Sequence, residues 1–290
     1  MIYADGGAFR MALEERLRRE ALSTGVPLVR LRKTVAFDRM LARLADIGQG
    51  VWVLKGGFAL QIRFADRSRT TKDVDLHTSE TPKRAIRLLA AAAELDLGDF
   101  FSFAVSYPSA TNEGALRFGV EARLDGRMFE GFHVDIGAGE PMIGEPFRTT
   151  VTALLAFAGV RPVSFLCYPL AQHLAEKVHA LTRPRGMRDN SRSKDLVDVV
   201  LMAETSIIDA GEFRSALDAT FAALPTHVMP QELPSAPGAW APEYRRMATD
   251  LALVADTLEA GRHEAAPDSW PMLCPRGSSS LSYAPIAVTV

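Results

Sequence analysis

Thr70-Thr-Lys-Asp-Val-Asp-Leu-His77 decides how this chain is read. Polar and apolar residues alternate through it, the period of a strand with one buried face. Val74 and Leu76 then belong to a core, while Asp73 and Asp75 project together from the opposite face. Two carboxylates sharing a face repel, and each raises the pKa of the other unless a cation lies between them. Mg²⁺ meets that need, with Mn²⁺ as its substitute: it is hard, prefers oxygen, and is commonly held by one or two carboxylates plus substrate phosphates. Taken alone, Asp-x-Asp on a strand is more often a solvated face than a metal site.

Upstream, Val51-Trp-Val-Leu54 reads as a short strand, Lys55-Gly56-Gly57 breaks it, and Phe58 to Phe64 forms a short helix. Glycines between a strand and a helix let backbone N–H groups approach an anion, and the helix N-terminus favours negative charge. Lys55 adds a point charge suited to a triphosphate, and Arg69, Thr71 and Lys72 beside the aspartates are nucleotide-binding candidates, Arg69 and Lys72 either contacting phosphate or balancing the carboxylates' charge. The spacing is not that of a P-loop. Downstream, Thr81-Pro82 opens an alanine-rich helix to about Leu95, and Phe101 to Val105 is a further strand. Residues 115–124 and 127–136 alternate on either side of Asp125-Gly126, a strong hairpin signal. In the second of these strands Asp135 faces away from Val134 and Ile136, a third carboxylate able to share a metal site if it lies beside Asp73.

The first 50 residues read as two helices, the second showing Arg32, Arg39 and Arg43 along one side, either a solvated face or a phosphate-contacting one. Beyond Pro162 helical patterns dominate, near 169–182, 194–204, 209–224 and 241–261, with a proline-rich connector from Pro225 to Pro242. The helix after Pro169 places Lys177 at the margin of its apolar stripe, from which a lysine snorkels into a cleft, and leaves His173 and His179 as ordinary surface residues. Asp195 and Asp198 share a face of the next helix, and Arg183 to Arg192 forms a basic loop between the two. The fold expected is α/β (α+β): helices over 1–50 packing on an α/β core over 51–160, a helical domain over 161–264, and a loose polar tail over 265–290.

No apolar run approaches the roughly 20 residues needed to span a bilayer, and the start lacks the pattern of a secretory signal. Two cysteines, Cys167 and Cys274, make neither a disulfide framework nor a cysteine metal site, so a reducing cytoplasm is the expected location. Net charge is −2, unevenly spread. Residues 1–72 hold 14 Lys and Arg against 7 Asp and Glu, whereas residues 196–290 hold 5 against 12. A basic half beside an acidic half hints at a polyanionic ligand, or marks two solvated faces of opposite sign.

In order, Leu54-Lys-Gly-Gly-Phe-Ala-Leu60, Arg69-Thr-Thr-Lys-Asp-Val-Asp75, Tyr168-Pro169 with Ala175-Glu-Lys-Val-His-Ala180, and Lys194-Asp-Leu-Val-Asp198 resemble the AbiEii/AbiGii nucleotidyltransferase toxins, which include the MenT toxins. The resemblance spans about residues 25–205. It implies a DNA-polymerase-β-like core with a helical C-terminal domain, a cognate antitoxin, and transfer of a nucleotide from an NTP to an RNA acceptor, the 3′ end of tRNA. By motif position it makes Asp73, Asp75, Lys177 and Asp198 catalytic, puts Lys55, Gly56 and Gly57 against the nucleotide, and makes Asp135 the third metal carboxylate. It also implies silencing by phosphorylation at Thr71. Phe58 departs from relatives that carry Ser or Thr there. Two other readings stay open: transfer to a small molecule or protein hydroxyl, and a catalytically silent nucleotide-binding partner of an antitoxin.

Overall fold

The computed structural model describes residues 1–48, 50–111, 114–184 and 192–265. Most of the basic loop and of the tail therefore lies outside the described residues. The chain divides into two compact units. The first contains residues 1–65, 70–140 and 146–167; the second contains 66–69, 141–145 and the chain from Tyr168 onward.

The first unit opens with helix α1 (Gly6–Thr24), capped by Asp5, whose carboxylate accepts from the backbone N–H groups of Gly7 and Ala8. It stops at Gly25, whose left-handed backbone (φ 75°) closes the helix C-terminus. Helix α2 (Leu28–Ile47) follows. Then come strand β1 (Val53–Lys55), helix α3 (Gly56–Phe64), strand β2 (Asp73–Thr78) and helix α4 (Pro82–Glu94). Six further strands complete the unit: β3 (Phe101–Val105), β4 (Ser109–Ala110), β5 (Leu116–Leu124), β6 (Arg127–Ala138), β7 (Phe147–Thr150) and β8 (Ser164–Cys167).

All eight join one mixed sheet in the order β3-β5-β6-β2-β1-β8-β7, with β4 on β5. Strands β2 and β6 are parallel; β1 runs antiparallel to β2 and parallel to β8. The β5–β6 turn is Asp125-Gly126 with φ of 53° and 70°, as a two-residue primed turn requires. One continuous core joins Phe9, Leu13 and Leu17 of α1, Val35, Phe37 and Met40 of α2, and Val74, Leu76, Phe132, Val134 and Ile136 of the sheet. The N-terminal helices thus share the core of the sheet.

The sheet runs past residue 160, correcting the expected boundary. Strands β7 and β8 are four residues each, too short to carry a readable alternation, and pairing fixes them as strands (Phe147 opposite Cys167).

The second unit is helical: α5 (Leu170–Thr182), α6 (Ser193–Thr205), α7 (Ala210–Ala223), α8 (Ala241–Asp250) and α9 (Leu258–Ala265). Helix α6 is the buried one, with Leu196, Val197, Val199, Val200, Leu201 and Met202 all inside, because α5, α8 and α9 pack around it. The single helix expected over 241–261 is two. The chain leaves the first at Leu251, takes a positive φ at Ala252, and is held by the Tyr244 hydroxyl donating to the Ala255 carbonyl at 2.7 Å. No helix among the described residues is long and apolar enough to cross a membrane.

Candidate active site

The sheet lines up charged residues across four neighbouring strands. Register pairs Arg117 on β5 with Asp135 on β6, Asp135 with Asp75 on β2, and Asp75 with Lys55 on β1. Residues directly opposite in adjacent strands point to the same face, so this is one row: cation, carboxylate, carboxylate, cation. Asp73 lies two residues along β2, opposite His133, whose Nδ1 is 3.1 Å from Asp73 Oδ1. As expected, Val74 and Leu76 go to the core, leaving the aspartates on the other face. Asp135 lies beside Asp75, not Asp73.

Arg117 grips Asp135 with both ends of its fork, Nε at 2.8 Å and Nη2 at 2.6 Å. That bond, with the nearby charges of Asp135, Asp73 and Asp75, raises the Arg117 pKa still further above its already high ordinary value. At the other end of the row Lys55 forms an ion pair with Glu140. Neither Arg117 nor Glu140 was found by reading the sequence. Arg117 was findable in principle, because it stands on the polar side of an alternating strand.

Gly56 shows why this turn needs glycine. Its φ is 67°, and a Cβ there would come within 2.5 Å of Asp75 Cγ. The backbone entering α3 therefore passes directly beside the second aspartate. Phe58 points the other way, fully buried against Phe37 in an edge-to-face contact at 4.8 Å. The missing hydroxyl noted in the sequence is thus a core position here. Lys72 is exposed. Thr71 is buried at 6% exposure, its hydroxyl 3.3 Å from the Asp73 carbonyl, and it precedes β2 instead of belonging to it.

The remaining candidate residues lie in the helical unit. Lys177 on α5 meets Asp195 at 2.7 Å and Asp198 at 2.9 Å on α6. Arg69 forks onto Asp198 at 3.0 and 2.8 Å, and Arg192 reaches Asp195 at 2.7 Å. Burial pulls the Lys177 pKa down, but Asp195 and Asp198 outweigh it and leave the pKa above the ordinary lysine value. Burial likewise opposes ionisation of Asp195, yet Lys177 and Arg192 bring it down to about 2. Lys177 is therefore a fixed cation inside an ionic cluster, not a snorkelling side chain. His173 and His179 are buried, not on the surface, because α6 and α7 both pack on α5; His179 Nε2 lies 2.9 Å from the Leu224 carbonyl.

The arginine side of α2 is also corrected. Arg39 and Arg43 are buried at 3% and 0% exposure. Arg43 donates to both oxygens of Asp99 at 2.8 and 3.1 Å and to the Leu95 and Phe101 carbonyls, while Arg39 pairs with Asp38. Arg32 bonds the Phe129 carbonyl at 2.6 Å and covers the Phe129 ring. A helix packed between α1, α4 and the sheet has no such face to offer a polyanion.

Asp73 and Asp75 supply two hard oxygen donors on one face, which suits one divalent cation completed by substrate phosphate. Among the described residues no group of three His, Cys, Asp or Glu side chains is drawn together to hold a metal ion. Arg117 accounts for Asp135, which can join the pair only by releasing that fork. Cys167 is buried and its thiol is pushed up to about 12, so it is no nucleophile.

The family model for the nucleotidyl transferase AbiEii toxin of type IV TA systems matches residues 39–268. Two solved structures from Helicobacter pylori overlap loosely, each with a TM-score of 0.42. One, of a protein assigned as a nucleotidyltransferase, shares 12% identity, with 82% of this chain and 91% of that chain covered. The other, JHP933, shares 11%, with 80% and 92% covered. No curated protein matches the chain in sequence.

Proposed function

The chain belongs to the AbiEii nucleotidyl transferase toxins of type IV toxin–antitoxin systems, and from that premise we propose a Mg²⁺-dependent enzyme that moves a nucleotide from an NTP to the 3′ end of tRNA and so stops translation. The observation that carries the reading is the row across β5, β6, β2 and β1, with Gly56 turned against Asp75. Two carboxylates kept side by side on an open face are costly unless they serve a cation. Asp73 and Asp75 would hold the metal, which supplies Lewis-acid stabilisation of the triphosphate charge.

The residues of the chain divide the remaining work. The acceptor oxygen bonds to the α-phosphorus as the bond to the β-phosphate oxygen breaks, pyrophosphate departs, and the acceptor proton passes to a carboxylate, for which we assign Asp135 once Arg117 has released one of its oxygens. Gly56 and Gly57 open the N-terminus of α3 to phosphate, and Lys55 balances charge beside them. Lys177 and Asp198 enter as the catalytic pair implied by the motifs. Since Lys177 is held protonated, its role is that of a cation for phosphate charge, not a base. Lys72 and Arg69 are assigned to the triphosphate, Arg69 on leaving Asp198. A cytoplasmic location and a cognate antitoxin complete the proposal.

One observation favours a second reading. With Arg39 and Arg43 buried, two of the three arginines expected to make an RNA surface along α2 are committed internally. Transfer to a small molecule or to a protein hydroxyl is accordingly the alternative. Incubating the protein and Mg²⁺ with total RNA and each α-labelled NTP tests both. Label in tRNA is the expected result, and label only in protein or small molecules gives the alternative. No incorporation anywhere removes the catalytic proposal.

A further inference from the structure

The charged row of the sheet already contains a cation of its own, placed against the third carboxylate. Asp75 and Asp135 stand directly opposite on the parallel strands β2 and β6, about 5 Å apart as neighbouring strands are. That register would let Asp135 converge with Asp73 and Asp75, yet among the described residues no three such side chains are drawn together. Both oxygens of Asp135 are taken instead by Arg117, whose Nε and Nη2 donate at 2.8 and 2.6 Å.

This clamp differs from the other arginine pairs of the protein. Arg43 is fully buried and holds Asp99 together with backbone carbonyls, and Arg69 is 19% exposed where it forks onto Asp198. The Arg117 side chain is 43% exposed, and Asp135 is the one side chain it bonds among the described residues. An ion pair open to water on its cationic side is weak and opens readily.

The charge of Arg117 is also matched to more than one aspartate. Its bond to Asp135, and beyond that the charges of Asp135, Asp73 and Asp75, all favour the guanidinium cation. A divalent cation seated on Asp73 and Asp75 answers the same charges and, about one strand spacing away, repels the guanidinium. A fork released there fits a phosphate as well as it fits a carboxylate, because both present paired oxygens.

We infer that Arg117 is a displaceable stand-in for the metal: it clamps Asp135 until a divalent cation arrives with a triphosphate, then passes its fork to the phosphate and frees Asp135 to face the metal pair. Arg117 thereby orders the reaction, since Asp135 becomes available to the acceptor only after the nucleotide is in place. The inference rests on the proposed nucleotidyl transfer for the identity of the triphosphate, but its test reads binding alone.

The test follows Mn²⁺ binding to the full-length protein by the water-proton relaxation that bound Mn²⁺ enhances. The ion is supplied alone or as its complex with inorganic tripolyphosphate, which carries the phosphates and no base. Arg117→Gln should bind Mn²⁺ alone about tenfold more tightly than the parent, the scale of one unit charge removed a few ångströms away near a protein surface. Arg117→Gln/Asp135→Asn should lose that gain, because Asp135 delivers it. With Mn²⁺–tripolyphosphate, Arg117→Gln should show no gain and bind equally well or more weakly, since the parent has already moved its arginine. Arg117→Lys keeps the charge without the fork; it should show a smaller gain for Mn²⁺ alone and none for the complex, and it carries the test should Arg117→Gln fail to fold. Unchanged Mn²⁺ affinity in both single variants overturns the inference, as does absence of Mn²⁺ binding by every variant. So does an equal gain with and without tripolyphosphate, which makes Arg117 a fixed cation. Should the expected shifts appear while no NTP labels RNA, protein or small molecule, the transfer reading falls and the exchange at Arg117 stands.

Discussion

The sheet of the first unit and helix α6 of the second each present a pair of aspartates two or three residues apart, and their circumstances are opposite. Asp195 and Asp198 are enclosed, and the oxygens of both are taken by Lys177, Arg69 and Arg192. Asp73 is a third exposed and faces the half-exposed His133, while Asp75 has a second carboxylate, Asp135, beside it in the sheet. The enclosed pair is locked by cations packed against it, whereas the sheet pair is partly exposed beside a third carboxylate, where an added cation is favourable. The second pattern carries the catalytic proposal, and the first raises the question of whether Lys177 and Asp198 are structural, catalytic, or both.

The largest expected effect is at the sheet. Asp73→Ala or Asp75→Ala should lower nucleotidyl transfer on the order of 10³-fold, the scale of losing a central electrostatic contributor. Thermal stability should change by less than about 0.5 kcal/mol, as at a partly exposed position outside the core. Full activity in either variant breaks the contrast at its functional end. At the structural end, Lys177→Ala removes the buried cation shared by Asp195 and Asp198, leaving Asp195 only Arg192 and Asp198 only Arg69, and should cost about 3 kcal/mol in urea unfolding. If it loses transfer with unfolding unchanged, α6 carries an active site and not a structural cluster.

Arg43 extends the contrast inside the first unit. Arg43→Gln strands Asp99 in the core and should cost about 3 kcal/mol or more in unfolding, since one partner of a buried pair remains. The slope of RNA affinity against salt should be unaltered, whereas loss of one phosphate contact would flatten it by about 0.7–0.9 log unit. A flattened slope with normal stability would restore α2 as an RNA surface. Gly56→Ala should have a smaller thermodynamic effect, about 1–2 kcal/mol for a side chain forced into left-handed backbone. Its weakening of transfer should exceed that of any other alanine in α3, because the methyl group displaces Asp75.

The smallest effects are in pH, and here the buried networks of the two units have opposite signs. Burial pushes Asp38 up to about 6 in spite of Arg39, so between about pH 4 and 6 the folded state keeps a proton that the unfolded chain has released. Its contribution to stability is present below pH 4 and is lost as pH rises to 6, a slope that Asp38→Asn should flatten. Asp195, brought down to about 2, contributes above pH 4 and loses that contribution as pH falls towards 2. Melting temperatures across pH 2–7 for the parent, Asp38→Asn and Asp195→Asn separate the two windows. Identical profiles in all three would contradict both assignments.

Much of this protein was legible from local sequence. Alternation placed Val74 and Leu76 inside and the aspartates opposite them. The Asp-Gly turn set the β5–β6 hairpin, and Gly56 marked a backbone position that tolerates no side chain. These signals need only a residue and its near neighbours. The charged faces of α2 and α5 were misjudged because a helix with arginines or histidines on one side looks amphipathic whatever packs against that side. Only the arrival of Asp99 makes Arg43 a core residue.

The register of the row is the clearest instance of what tertiary structure decided. A regular two-residue hairpin pairing Leu124 with Arg127 would set Arg117 opposite Val134, on the wrong face. The chain instead leaves Phe129 unopposed, since Arg123 pairs with Met128 and Ala122 with Glu130, and from there on Arg117 faces Asp135. One extra residue in a strand shifts every later pair by one and exchanges its two faces. The parity change from Phe129 to Phe132, Val134 and Ile136 was written in the sequence all along. The sequence alone determined that aspartates would stand on β2, because side-chain direction in a strand is a local property. Which charges stand beside them follows from strand order and bulge position, which are settled only when distant segments pair around a shared core.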